Sequence, residues 1–300
     1  MIISLMDLSK QPSEELEEYI KYIKPCPGQK LWAFFIRENM ENLTTKYIKQ
    51  NITEKLNNHK FDNKILLLSK NPNKEVDHYK NVIIKRCKEF KIEYIDKIFN
   101  EESQEEILKY INSFDKKDGF IILSPFGDKE DLTLLKEKIS IKDLDSFTYR
   151  SLGKIFDGDK SALPATSRAV VSFMDGEGID YKGKRVVIAN NTNIIGRPLA
   201  TYLAAKRASV TVINSLTTNP KELIQNSDIF ISAIGKASFY DKSYFKNDQL
   251  LIDVGTSYIN GKIIGDIDVD SISKLDVKYL GSKNGIGSIT TITLVEGLVY

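Results

Sequence analysis

The chain has 300 residues, 41% hydrophobic and 28% charged, long enough to bury the cores of about two domains without disulfide or metal staples. Its 43 Lys and Arg nearly balance 41 Asp and Glu, and the formal net charge of +2 gives no global electrostatic reason to expect nucleic acid or a membrane as partner. No apolar run approaches the roughly 20 residues of a membrane span, and the start lacks the basic and apolar regions of a signal peptide, so a soluble cytoplasmic protein is expected. Ser13 to about Lys24 reads as a helix, with Leu16, Tyr19, Ile20 and Ile23 on one stripe. Leu31–Ile36 is too short to decide between a strand and a buried helix. A helix is predicted over 42–59, a buried strand over 64–68, a helix over 76–90 and a short strand over 92–95. A helix over 101–114 and a buried strand over 120–123 follow.

After a loop-like stretch at 156–167 a second series begins. Strands are predicted at 184–189, 209–213, 229–233 and 250–254, with helices at 197–206 and 220–226 between them. Short apolar strands spaced by helices predict an α/β fold of two domains, the second a doubly wound, Rossmann-type parallel sheet. There is no internal repeat.

Cys26 and Cys87 lack CxxC spacing and suit a reducing compartment. His59 and His78 stand among polar neighbours and read as surface histidines, so no metal site is expected. The turn from Asn190 to Pro198 joins a strand to a helix, and its late glycine and Pro198 suit backbone amides aimed at a phosphate. Only Gly196 is present where a dinucleotide fingerprint has three glycines, so an ordinary βα turn competes on motif alone. Context favours a dinucleotide: the next strand ends in Asn214-Ser215, and Gly235 and Gly255 follow two further strands. Neither an acid for a ribose hydroxyl nor an obvious arginine for a 2′-phosphate stands at that strand end, which leaves NAD and NADP both open.

From about Lys142 to Thr293 the chain resembles the bifunctional methylenetetrahydrofolate dehydrogenase/cyclohydrolase family. Lys142-Asp143-Leu144-Asp145-Ser146-Phe147 resembles its KDVDGF segment, and Pro164-Ala165-Thr166-Ser167-Arg168-Ala169 its PCTPRG. Thr192–Pro198 follows its SxIVGxP loop, and Ser209–Thr217 its ATVTxxHSxT strand. Ile252-Asp253-Val254-Gly255 and Gly265-Asp266-Ile267-Asp268 match IDVG and GDVD. The resemblance implies a folate-binding α/β domain over 1–150, an NAD(P)-binding Rossmann domain over 151–287, and a segment at 288–300 returning toward the first. It further implies a cleft active site, a homodimer and a tetrahydrofolate derivative as substrate. Cofactor contacts map to Asn190, Asn191, Thr192, Gly196, Ser215 and Thr256. Asn190 and Asn191 replace the family's Gly and Arg, which implies weaker binding or a shift toward NAD.

The family's catalytic Tyr, and the Lys four residues on, fall on Tyr79 and Ile83 when the helix is aligned on Cys87. Anchored on Asn71-Pro72 they fall on Asp77 and Asn81. The family's Gln becomes Leu123 in Leu123-Ser124-Pro125-Phe126-Gly127. Asp145 keeps its motif position and is expected, with Tyr79, to act in catalysis and hold the folate. Lys80 and Lys85 point to other helix faces and read as solvated. The family's TPVPGGVGPMT becomes Leu280–Thr290 without its prolines, with Ile289 as the substrate contact of that wall. Hydride transfer needs alignment of two ligands, whereas hydrolysis of the methenyl product needs an activated water. The expectation is a dehydrogenase with impaired cyclohydrolase. Two other readings stand beside it: a non-catalytic binding module, and a Rossmann oxidoreductase on a non-folate substrate.

Overall fold

The computed structural model describes residues 40–127 and 131–300, and residues 38–300 form one compact unit. The helix predicted at 13–24, the run at 31–36 and Cys26 lie outside the described residues. The elements in order are β1 (Glu41–Leu43), α1 (Lys46–Asn58), β2 (Lys64–Lys70), α2 (Lys74–Glu89), β3 (Glu93–Phe99) and α3 (Gln104–Ile111). Next come β4 (Gly119–Ile122), α4 (Thr133–Lys138), β5 (Lys142–Asp143), α5 (Tyr149–Phe156) and α6 (Ala165–Gly176). The second series is β6 (Arg185–Ala189), α7 (Gly196–Ala205), β7 (Ser209–Ile213), α8 (Pro220–Gln225), β8 (Ile229–Ser232) and β9 (Leu250–Asp253). It closes with β10 (Ser257–Ile259), β11 (Lys262–Ile264), α9 (Val269–Ile272), β12 (Lys278–Leu280) and α10 (Gly287–Glu296).

Two parallel sheets result, in the orders β3-β2-β4-β5 and β1-β12-β9-β8-β6-β7. The α/β fold with a Rossmann-type parallel sheet is therefore as expected. The inner strands β2, β4, β6, β8 and β9 read as nearly unbroken apolar runs because both faces are covered, whereas the edge strands β3 and β7 are partly exposed. Along β2, Ile65 and Leu67 enter the central core while Leu66 and Leu68 enter an outer one. Along β6, Val186 and Ile188 face that same central core and Val187 and Ala189 the opposite outer layer. Each sheet thus gives one face to a core that it shares with helices α1, α2, α6 and α10.

Three elements depart from expectation. The helix predicted from 42 starts only at Lys46, because Glu41–Leu43 pair in register with Lys278–Leu280 at the edge of the second sheet. The stretch read as loop to 167 already enters α6 at Ala165, a helix buried along most of its length. Ser257–Ile264 forms an antiparallel hairpin whose turn residues Asn260 and Gly261 have φ of 50° and 77°, the Asn-Gly signal of a tight hairpin.

Candidate active site and dinucleotide crevice

In each sheet the chain leaves a middle strand in opposite directions, and ligands of such sheets bind at the carboxyl ends there. In the first sheet the switch lies between β2 and β4. Helix α2 follows β2, capped by the Asn73 side chain, which accepts from the Val76 amide at 2.9 Å. Its buried stripe is Val76, Lys80, Ile83 and Cys87, and Tyr79 lies half-buried beside it. Burial raises the Tyr79 pKa, and the charge of Asp145 raises it further, so the phenol keeps its proton and acts as a donor. Asp145 lies just beyond β5 and accepts from the Ala165 amide, at the start of α6, at 2.7 Å. Burial pushes its carboxyl up to about 6, against the pull of that amide and of Arg168. The charge of Asp145 thus acts on the Tyr79 phenol. Asp77 instead pairs with Lys80 at 3.1 Å.

Ile83 has no exposed surface and Leu123 is 2% exposed; both pack in the central core. Lys80 is not the solvated residue expected. It is buried, because β3 places Asp96 at 3.2 Å and Asp77 closes the other side. Lys85, His59 and His78 are exposed. Ile289, the expected substrate contact, has no exposed surface and packs in the central core. The loop before it is held without prolines: the Thr45 hydroxyl donates to the Asn284 carbonyl at 2.8 Å and shares a hydrogen bond with Ser288 at 2.8 Å.

Ser146 occupies the glycine position of KDVDGF with φ of 60°, a left-handed conformation that costs a non-glycine residue on the order of 1 kcal/mol. Its hydroxyl donates to the Ala162 carbonyl, which offsets that strain and ties down the turn before α6. Ser146→Ala keeps the strain and loses the bond, whereas Ser146→Gly loses both. Chemical denaturation is expected to rank Ser146→Ala below Ser146→Gly by about 1 kcal/mol.

In the second sheet the switch lies between β6 and β8. Asn190 spans it. Its Nδ2 donates to the Ala233 carbonyl at 2.7 Å, and its Oδ1 accepts from the Thr192 amide, the Thr192 hydroxyl and the Gly196 amide at 2.9, 2.7 and 2.9 Å. The Thr192 hydroxyl, expected as a free donor, is therefore committed to Asn190. Gly196 is required here, since a Cβ would lie 1.7 Å from the Asn190 carbonyl. Among the described residues the amides of Asn191, Asn193 and Ile194 keep no partner, and all three residues are exposed ahead of α7. Arg197 stands beside them, its guanidinium donating to the Asn191 and Asn193 carboxamides at 3.0 Å each. This arginine stands in the loop itself and not at the end of β7, where the pattern of a dinucleotide fold would place one for a 2′-phosphate. Ser215 and Thr256 are exposed at the ends of β7 and β9. Free amides, an arginine and uncovered strand ends fit a dinucleotide. Only the donors taken by Asn190 are withdrawn.

The rim of this crevice is braced by two buried carboxylates. Asp266 accepts from the Ser232 hydroxyl at 2.6 Å and from the Ile234 and Lys236 amides at 2.7 Å each. Asp253 accepts from the Asp266 and Ile267 amides at 3.0 Å each, and burial pushes its carboxyl up to about 7. A Cβ on Gly255 would meet the Asp266 carboxylate at 2.0 Å, and one on Gly265 the Asp253 carboxylate at 2.0 Å. The IDVG and GDID segments therefore interlock as a frame, each glycine making room for the other segment's acid.

Residues 164–300 match the tetrahydrofolate dehydrogenase/cyclohydrolase, NAD(P)-binding domain. The bifunctional protein FolD of Clostridium novyi (strain NT) is 34% identical over 205 residues, covering 68% of this chain and 74% of that protein. The chain belongs to the tetrahydrofolate dehydrogenase/cyclohydrolase family. The crystal structure of the family's bifunctional enzyme FolD from Campylobacter jejuni matches with a TM-score of 0.79 and 28% identity, over 87% of this chain and 97% of that one. The bifunctional dehydrogenase/cyclohydrolase from Thermoplasma acidophilum matches at 0.76 and 26%, over 86% and 97%. Among the described residues, no helix of this family member is long and apolar enough to cross a membrane.

Proposed function

We propose that the chain is an NAD(P)-dependent 5,10-methylenetetrahydrofolate dehydrogenase whose cyclohydrolase step is lost. The observation that carries this reading is the Asp145 carboxyl, whose charge acts on the half-buried Tyr79, together with an Ile83 sealed in the apolar core. Near neutral pH the Asp145 carboxyl, at about 6, is mostly ionised and suits the amino and ring N–H groups of a pterin by charge-assisted hydrogen bonds. Tyr79 offers a ring face and a hydroxyl that stays protonated. Asn191, Asn193, Ile194, Arg197, Ser215 and Thr256 would hold the dinucleotide, with Asn190, Thr192 and Gly196 shaping the loop from inside. When bound, the nicotinamide accepts the hydride, and the protein's part is alignment of the two ligands. Hydrolysing the methenyl product requires a proton acceptor for water. Ile83 and Leu123 provide none, and the Lys80 ammonium is held by Asp77 and Asp96. A homodimer and a cytoplasmic setting belong to this same reading, and the unpaired, buried Cys87 suits the reducing compartment.

Mixing the protein with 5,10-methylenetetrahydrofolate and NAD or NADP is expected to produce reduced nicotinamide. No reduction, with no thermal shift from either ligand, would favour a non-catalytic module. Asp145→Asn keeps an oxygen for the Ala165 amide but loses the charge, so kcat/KM is expected to fall roughly 10- to 100-fold. The same variant carries a stability signature. The Asp145 carboxyl sits at about 6 in the fold against an ordinary 3.8, so between about pH 4 and 6 the native state holds more proton than the unfolded chain. Stability from this group therefore falls as pH rises through that window, by at most about 3 kcal/mol, and is level above it. Denaturation of Asp145→Asn is expected to lack that slope.

A further inference from the structure

Away from Tyr79 and Asp145, a cavity of about 270 Å³ opens where β5, α5 and the turn at 297–299 meet. Its walls hold five cations, Lys116, Lys142, Arg150, Lys154 and Arg168, together with serine hydroxyls. Asp143 is the one carboxylate side chain in the lining, and it is already committed. Its Oδ1 accepts from the Phe147 amide at 3.1 Å, and its Oδ2 from the Thr148 amide and hydroxyl at 2.7 and 2.8 Å. Lys116 and Lys154 reach no carboxylate among the described residues. Lys142 donates to the Leu298 carbonyl and to the Tyr300 main-chain oxygen. Burial and the charges of Arg168 and Lys154 hold its pKa below the usual lysine range.

Arg168 supplies an independent observation. It is 1% exposed, and its two terminal nitrogens donate to the Ser161 and Thr293 carbonyls at 2.9 and 2.8 Å. Its Nε–H is buried and has no acceptor. A buried donor left unpaired costs free energy, and five cations against the single Asp143 side-chain carboxylate leave the lining positive, a charge that one anion in the cavity would offset. The volume lies below the roughly 300–1,000 Å³ of drug-sized sites, which favours a compact ligand. The uncommitted ammonium groups of Lys116 and Lys154, set among further positive charge, suit the oxygens of a phosphoryl group, while Arg150 and Arg168 already donate to main-chain carbonyls.

We propose that this cavity binds a compact phosphate-bearing anion, at a site separate from both the folate cleft and the dinucleotide loop. The test is titration of the full chain with sodium pyrophosphate, read by calorimetry and by melting temperature, against sodium chloride of equal ionic strength and against tricarballylate. Pyrophosphate is expected to bind saturably and raise the melting temperature beyond the chloride control. Lys116 and Lys154 are exposed, so the double variant Lys116→Ala/Lys154→Ala is expected to fold normally yet bind pyrophosphate at least tenfold more weakly. Arg197→Ala, in the dinucleotide loop, is expected to bind it unchanged. Four results would each overturn the proposal: an equal effect of chloride, undiminished binding by the double variant, loss of binding in Arg197→Ala, or tricarballylate binding as tightly as pyrophosphate.

Discussion

Supplied with 5,10-methenyltetrahydrofolate, the protein is expected to hydrolyse it no faster than buffer does. A positioned acid or base contributes roughly 10²- to 10⁴-fold to such a step, and that factor is what the Ile83 and Leu123 positions have lost. Neither residue is merely a poor substitute beside a water. Ile83 has no exposed surface and Leu123 only 2%, and each packs among the aliphatic side chains of the central core. Ile83→Lys is therefore not expected to restore hydrolysis, since an ammonium there enters an apolar core and shifts its pKa or disrupts the packing. Following the decay of the methenyl absorbance with and without enzyme checks this. An enzymatic rate tenfold above buffer would contradict it.

Replacing Arg168 by alanine is expected to cost about 3–5 kcal/mol of folding stability. Its side chain joins α6, the turn at Ser161 and α10 through the Ser161 and Thr293 carbonyls, and it lies against Gly297. Truncation orphans two carbonyls, opens a large void, and removes a positive charge that favours ionised Asp145. Arg168→Met restores most of the volume and none of the hydrogen bonds, so its urea midpoint is expected between wild type and alanine. A loss below about 1 kcal/mol for alanine would show that these connections do not hold α6 and α10 together.

Elements buried on both faces were legible because their signal is local. Lys64–Leu68, Lys184–Ala189 and Ile229–Ala233 are runs of apolar residues bounded by turns, and the structure places strands at each. Elements defined by distant partners were not legible. Glu41–Leu43 is a strand only because Lys278–Leu280 lies beside it, and α10 is buried around most of its surface with threonines among its aliphatic residues, so no periodicity marks it. The hairpin at 257–264 did carry a local signal in Asn260-Gly261, which was overlooked.

The same division runs through the site. Asp145 and Gly196 were found because each sits in a motif of contiguous residues. The bridging role of Asn190 depends on Ala233 across the switch point, and the burial of Lys80 on Asp96 one strand away. Arg197 was within reach of the sequence as an arginine at the first turn of α7, in the loop already singled out.

One progress curve tests the central claim most directly. The protein, 5,10-methylenetetrahydrofolate and NADP or NAD are mixed while reduced nicotinamide and the methenyl product are recorded together. Equal and simultaneous accumulation of the two is the expected result. Reduced nicotinamide rising while the methenyl product is consumed faster than buffer hydrolyses it would contradict the assignment of a dehydrogenase that has lost its cyclohydrolase step.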